Sequence, residues 1–471
     1  MKMLLNGAWV DRLQHIEVRD PQDAHMIDTV PQATAADMHE AIQVAVAGAE
    51  AARAMPAYQR IHILRQAADT IEMQHEAFAR TISHEGVKTI REARKEVTRC
   101  LETLRISAEA TRHLGGETIA FDQMPGSEQR QGYYRREPVG IIGAITPFND
   151  PLNLVAHKVG PALAAGNAII VKPHTETPLS ALLLAQAFVE AGLPPGVLQV
   201  ITGRGREIGE ILVTDPRVRL ISFTGSRQTG EMIQAKARLK KVSMELGSNS
   251  PVIVMPDANL ELAVNCSVSG AYWAAGQNCL HVQRLFVQKS IAPEFTERFV
   301  ALTRTYRTGD KQDDGTDMGP LINEAAALRV EQTVNEALAT GARVLIGAQR
   351  SGTYYLPALL ERVPEASPLA TEETYGPVTL LFPFDTLEEA IQRANAVDYG
   401  LQAGIFTQSL QTAFRAVNGL QCGGVMVNES SDYRIDAMPF GGIKGSGLGR
   451  EGVHFALQEM TEPKVVCFNL A

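Results

Sequence analysis

Cys279 is the residue whose surroundings best fit covalent chemistry. It closes Gly276-Gln277-Asn278-Cys279, where glycine admits close backbone approach and two polar residues argue against a core position. Such a loop gives a thiol an unhindered place beside backbone N–H groups, which favour a thiolate and a developing oxyanion. A lone cysteine is ordinarily a small buried hydrophobe, and Cys100, Cys266, Cys422 and Cys467 are read that way. Glu245, in Met244-Glu245-Leu246-Gly247, ends an apolar stretch before a glycine and so faces a cleft. As partner to a thiol it is a general base for the water that hydrolyses an acyl-enzyme. Asn149 lies in Thr146-Pro147-Phe148-Asn149-Asp150-Pro151, at the carboxyl end of an apolar strand pattern. Beside proline it fits a turn or cap; beside a thiol, its amide and the Cys279 N–H are two oxyanion donors.

Three glycine- or lysine-bearing turns suit a nucleotide. Gly203, Gly205 and Gly209 approach the GxGxxG fingerprint, with the third glycine one residue late. Phe223-Thr224-Gly225-Ser226, then Gly230, follows a strand and opens a helix, a turn suited to a pyrophosphate. Lys172-Pro173 after a buried strand sets an ammonium near ribose hydroxyls or a phosphate. Each alone reads as a loop; on consecutive β-α units they favour a dinucleotide.

The elements that must position these groups alternate. Strands are predicted over Val139–Thr146, Asn167–Lys172, Val197–Ile201, Val218–Phe223 and Lys241–Leu246, with helices over Leu152–Ala165, Pro178–Ala191, Arg206–Val213 and Gln228–Leu239. Near-continuous apolar strands between amphipathic helices mean an α/β fold with a parallel, doubly wound sheet. A second such run begins at Pro251–Val254 and continues with helix Leu260–Ala275, strand Gln283–Gln288 and helix Pro293–Arg307. Residues from about Ala35 to Glu117 read as helices. The polar stretch Phe121–Gly132 leads into Tyr133-Tyr134-Arg135-Arg136, an exposed hairpin or a surface connection, and Glu462–Phe468 is a strand in need of a partner.

With 471 residues, two or three domains are expected. A net charge of -9 without a basic run argues against nucleic acid or anionic membrane as partner. No apolar run suits a membrane span, and Asn6-Gly7 comes too early for a signal sequence. Five cysteines at scattered spacings form neither a metal pair nor a disulfide framework, which fits a reducing cytoplasm. His157 and His281 read as packing or capping residues, and no metal is indicated.

Taken in order, Pro147-Phe148-Asn149, Lys172-Pro173, Phe223-Thr224-Gly225-Ser226, Glu245-Leu246-Gly247, Gly276-Gln277-Asn278-Cys279, Glu372-Glu373-Thr374-Tyr375-Gly376-Pro377 and Pro439-Phe440-Gly441-Gly442 resemble the NAD(P)-dependent, non-phosphorylating aldehyde dehydrogenase superfamily over almost the whole chain. The resemblance implies a Rossmann-like cofactor domain (1–120 and 140–246), a catalytic domain (247–440) and a small β bridging element (121–139 and 441–471) that mediates homodimers or homotetramers. It implies Cys279 as nucleophile, Glu245 as base, and Asn149 with the Cys279 N–H around the oxyanion. Lys172 and Glu373 would contact ribose and Ser226 the pyrophosphate. Thr146, Pro147, Phe148, Thr175, Gly205, Gly209, Phe223, Gly225, Gly230, Leu246 and Tyr375 complete the expected NAD or NADP site. The reaction implied is aldehyde oxidation through a thiohemiacetal and a thioester. Glu245 favours water over coenzyme A as acyl acceptor.

Three departures carry information. Thr175 stands where NAD-preferring members carry Glu, so the repulsion of a 2′-phosphate is gone and NADP should be accepted. Ser248 replaces a glycine, and Asn278 stands where anion-binding members often have Arg. The motifs look like the lactaldehyde, glyceraldehyde-3-phosphate, phosphonoacetaldehyde and sulfolactaldehyde group, which points to a short polar, hydroxylated or acidic aldehyde. Arg105 and Arg434 are candidates to grip its anion or hydroxyls, with Asp150 and Asn278 against an anion. Two other classes are weighed: a cofactor-independent thiol esterase, which lacks a Cys-His pattern, and a non-catalytic binding protein, which has no use for Cys279, Glu245 and Asn149 together.

Overall fold

The computed structural model describes residues 1–471. Strands Leu198–Val200, Ala168–Lys172, Ile141–Ile145, Val218–Thr224 and Lys241–Glu245 lie in that order as the parallel centre of an eight-stranded sheet. Ile142, Ala144, Ile169 and Val171 enter one core while Ile141, Ala168, Ile170 and Ile221 enter another. That period-2 alternation, apolar on both sides, is why these strands read as continuous hydrophobic runs. Strand order reverses between Ile141–Ile145 and Val218–Thr224. Their carboxyl ends open the crevice where α/β sheets hold ligands. Register sets its rim: Ile145 is beside Lys172 and Phe223, and Thr224 beside Glu245.

The second sheet has seven strands, in the order Arg343–Ile346, Ala358–Glu361, Val378–Phe384, Val282–Gln288, Ser250–Val254, Gln402–Phe406 and Gly424–Val427. All pairs are parallel except the first. The N-terminal helices are Ala35–Ala54, Ala57–Met73, His75–Glu85 and Ile90–Ala110. Two begin with capping boxes, Thr34 with Asp37 and Thr89 with Glu92, which satisfy orphan backbone donors at each helix start. No helix is long and apolar enough to cross a membrane.

The β bridging element is a three-stranded sheet. Thr461–Asn469 pairs antiparallel with Arg130–Pro138 along its full length, and Gly116–Thr118 takes the other edge. Tyr133 to Arg136 therefore lies inside a long strand. The expected boundaries need correction at both ends. Gly116–Thr118 belongs to this sheet and not to the cofactor domain. Gly447–Leu448 instead pairs with Met244 and Glu245 on the edge of the first sheet, and helix Val453–Glu459 packs on helix Asn153–Ala165. The N-terminal strands Met3–Leu5 and Ala8–Val10, absent from the sequence reading, form a hairpin that joins the same sheet beside Leu198–Val200.

Candidate active site

Helix Leu260–Tyr272 ends short of the expected Ala275, because the next turn cannot be helical. Ala274, Ala275 and Gly276 take left-handed backbone conformations, with φ of 50°, 54° and 68°. Left-handed alanines are costly and persist only where the surroundings fix them. Here Glu92 Oε1 accepts from the Ala274 N–H at 2.9 Å. The Gln277 amide, wholly buried, donates to the Ala274 and Pro320 carbonyls and accepts from the Ile322 N–H at 2.9 Å. Gln277, expected to be unsuited to a core, is thus the buried anchor of the turn. Asn278 Oδ1 accepts from the Leu280 N–H at 2.9 Å and its Nδ2 donates to the Trp273 carbonyl at 3.3 Å. These bonds hold Cys279 in the wall of a cavity of about 490 Å³, packed against Leu280, Leu401 and Phe440.

Glu245 and Asn149 line the same cavity. Glu245 closes the strand Lys241–Glu245, is buried, and has no hydrogen-bond partner on either carboxylate oxygen. Burial, with Glu451 nearby, raises its pKa well above the carboxylate range against the pull of Arg434 and Lys158. Glu451 behaves oppositely: burial opposes its charge, but Lys158 at 3.1 Å and Arg434 at 3.2 Å hold it down at about 2. Of two carboxylates in one pocket, the unpaired one is the more basic. The Cys279 thiol is pushed up to about 12 by burial, against the pull of Arg434 and with Glu373 and Glu245 adding to the rise.

The Asn149 bend is fixed from the side of helix Ile90–Ala110. Glu96 Oε1 accepts from the Leu152 and Asn153 N–H groups at 2.8 and 3.0 Å, and its Oε2 from Lys88 at 2.8 Å. Lys88 also pairs with Asp150, so the carboxylate beside Asn149 is neutralised. The Asn149 side-chain oxygen is buried without a partner.

Along the crevice, Lys172 is buried and donates to the Pro173 carbonyl at 2.7 Å, its ammonium pulled down to about 8 by burial. A side chain at Gly205, in the turn Gly205–Gly209, would begin 4.0 Å from the Lys172 side chain. Ser226 is exposed at the N-cap of helix Arg227–Ala237. A side chain at Gly225 would meet the Phe223 ring, and one at Gly230 the Leu246 side chain, so both glycines permit close approach of backbone to strand ends. Glu373 Oε1 accepts from the Ser248 N–H at 2.9 Å, and burial pushes its carboxyl up to about 7. Phe148 packs edge-on against Tyr375 and His174. Thr175 Oγ1 donates to the Gly203 carbonyl, while the next residue, Glu176, turns to Asn323. Thr146 is buried with its hydroxyl unpartnered.

Arg105 does not line the cavity; it pairs with Glu72 at 2.6 Å and with Glu102. On its helix the cavity face belongs to Lys95 and Arg99, one turn apart, and helical periodicity turns Arg105 away from them. Asp150, Asn278 and Arg434 do line it. Arg434 sits 3.8 Å over the Phe440 ring centroid and 3.4 Å from His157 Nε2. His157 is more than a packing residue: it bonds Asp436 at 2.8 Å, and Asp436 accepts from Arg99 at 2.8 Å. His281 is buried, its ring pulled down to about 3 by burial. Lys158, Glu451, Lys88 and Glu96 escaped the sequence reading. Each comes from an element remote in sequence, and nothing local distinguishes it from a surface charge.

The comparisons agree with this geometry. Residues 9–466 match the model of the Aldehyde dehydrogenase family. Aspartate-semialdehyde dehydrogenase 1 of Pseudomonas canavaninivorans is 50% identical, covering 97% of each chain. The 3-sulfolactaldehyde dehydrogenase of Priestia megaterium is 42% identical over 99% of this chain and 98% of its own. Aldehyde dehydrogenase 21 of Physcomitrella patens, solved with the reaction product succinate, superposes with a TM-score of 0.97 at 38% identity, covering 100% of this chain and 98% of that one. The NADP-dependent glyceraldehyde-3-phosphate dehydrogenase of Bacillus halodurans, complexed with NADP, gives 0.97 at 36%, covering 100% and 99%. The chain belongs to the aldehyde dehydrogenase family.

Proposed function

We propose that this enzyme oxidises a short polar aldehyde to its carboxylate with NAD or NADP, through an acyl group carried on Cys279. The observation that carries this reading is one cavity lined by a thiol, a carboxylate with both oxygens unpartnered and an asparagine amide. The Cys279 thiol releases its proton to water as its sulfur attacks the aldehyde carbon, and the oxygen that gains charge is received by the Asn149 amide and the Cys279 N–H. When bound, NAD or NADP supplies the hydride acceptor that converts the thiohemiacetal carbon to a thioester. Water then adds to that carbon, Glu245 takes its proton, and the C–S bond breaks to give the carboxylate and the free thiol. Burial suits Glu245 to this, since its raised pKa makes it a stronger base than an exposed glutamate.

The crevice fits the dinucleotide. Lys172 is a buried ammonium with only a neighbouring carbonyl for partner, Ser226 and Gly225 open a helix start, and Glu373 lies against Gly247. Thr175, turned to Gly203, presents no carboxylate beside the glycine turn, and Glu176 is engaged by Asn323, which supports NADP use. Relatives named for aspartate semialdehyde and sulfolactaldehyde support a small, acidic substrate. The thiol esterase reading finds no support: neither His157 nor His281 lines the cavity that holds Cys279. We place the enzyme in the cytoplasm as a dimer or tetramer joined through the bridging sheet.

The test is an aldehyde panel with NAD and with NADP, read by absorbance of the reduced cofactor. The expected result is steady oxidation of short acidic or hydroxylated aldehydes. No signal with any aldehyde and either cofactor contradicts the reading.

A further inference from the structure

Several charges around the cavity are already paired: Arg99 with Asp436, Asp150 with Lys88, and Arg434 with Glu451. Besides Glu245, three are not. Lys95, on helix Ile90–Ala110, has no carboxylate within ion-pair distance; its ammonium lies 5.0 Å from the Trp273 ring centroid. Across the cavity, Glu429 and Asp432 follow the strand Gly424–Val427, and neither has a cationic partner. Ser430 serves both, donating its N–H to Glu429 at 3.0 Å and its hydroxyl to Asp432. Burial, with Glu429 beside it, pushes Asp432 up to about 6 despite the Ser430 bond and the weaker pull of Lys95, the behaviour of a carboxylate with no cation in contact.

Unpaired charges of both signs, in a cavity that also holds the reactive thiol, select against singly charged substrates. A purely anionic tail meets Glu429 and Asp432, and a purely cationic one meets Lys95. A ligand carrying both signs relieves all three at once, by charge-assisted hydrogen bonds in a partly desolvated space. Building on the reading of Cys279 as nucleophile, we propose that the substrate is a short α-amino acid semialdehyde. Asp432 and Glu429 receive its ammonium, and Lys95 receives its carboxylate. The chemistry at sulfur is unchanged: the aldehyde carbon becomes a second carboxylate, and the product is an amino dicarboxylate.

Three probes of matched length separate the possibilities: aspartate 4-semialdehyde, its deaminated analogue succinate semialdehyde, and its decarboxylated analogue 3-aminopropanal. The expected kcat/KM for the zwitterion exceeds both others by roughly tenfold or more, the usual effect of a charged hydrogen bond. Asp432→Asn is expected to lower the ratio of aspartate semialdehyde to succinate semialdehyde by about tenfold. Lys95→Met should lower the ratio of aspartate semialdehyde to 3-aminopropanal by about as much. Preference for either singly charged analogue, or unchanged ratios in both folded variants, overturns the proposal while leaving aldehyde oxidation standing. If a variant does not fold, the wild-type ranking alone decides. Failure to oxidise any aldehyde overturns the Cys279 reading, and this proposal with it.

Discussion

Burial raises the pKa of both groups proposed to react, the Cys279 thiol up to about 12 and Glu245 well above its usual range. For a thiol the sign is simple: below its pKa, each unit of pH changes the thiolate fraction tenfold. Alkylation of Cys279 by iodoacetamide in the cofactor-free enzyme should therefore rise about tenfold per pH unit from pH 7 to 9 without levelling. A plateau near pH 7 would show that the sulfur is already ionised at rest. Glu245→Gln removes the base but little volume, so a burst of one reduced cofactor per active site should precede turnover slowed by roughly a hundredfold or more. Unchanged steady-state rates would take Glu245 out of the mechanism. At the cofactor end, Thr175→Glu restores a carboxylate near the glycine turn. Its kcat/KM for NADP should fall at least about tenfold relative to NAD, and an unmoved ratio would place the 2′-phosphate elsewhere.

The thiol is aimed by the turn between helix Leu260–Tyr272 and strand Val282–Gln288, which cannot form without its buried anchors. A side chain at Gly276 would adopt φ near +68° and overlap the Gly376 carbonyl. Gly276→Ala should cost roughly 1 kcal/mol or more and lower kcat more than KM, checked by thermal unfolding and steady-state kinetics. This turn marks the limit of what could be read from the chain. Polarity at Gln277 and Asn278 announced a loop, but polarity is also how a buried residue satisfies strained backbone, and only packing reveals which. The β-α alternation was legible because strands covered on both faces are apolar throughout, as Ile142 and Ile170 are. The N-terminal hairpin is legible too. Asn6-Gly7, both at positive φ between apolar pairs, is a hairpin turn signal as well as an argument against a leader sequence. Arg105 failed for a different reason: a helical arginine has no visible face until the neighbouring helix, with its Glu72, is in place.

At the scale of the molecule, the bridging sheet leaves apolar side chains to solvent: Val465 and Phe468 are more than half exposed, and Tyr133 packs obliquely on Phe468. A nine-residue strand pair that exposes apolar side chains on both faces, Val465 on one and Phe468 with Tyr133 on the other, suits a contact between subunits. Val465→Lys with Phe468→Lys should yield monomers by light scattering where the parent chain is dimeric or tetrameric; a parent chain that is already monomeric contradicts this. The two α/β layers matter to chemistry because one supplies Glu245 and Asn149 and the other Cys279, so acyl transfer reports on their assembly. The most direct check is mass spectrometry of Glu245→Gln mixed with cofactor and an oxidisable aldehyde, then digested. The account predicts a single added acyl group on the peptide that contains Cys279, accumulating because its hydrolysis is blocked. An unmodified Cys279, or the acyl group found on another cysteine, contradicts it.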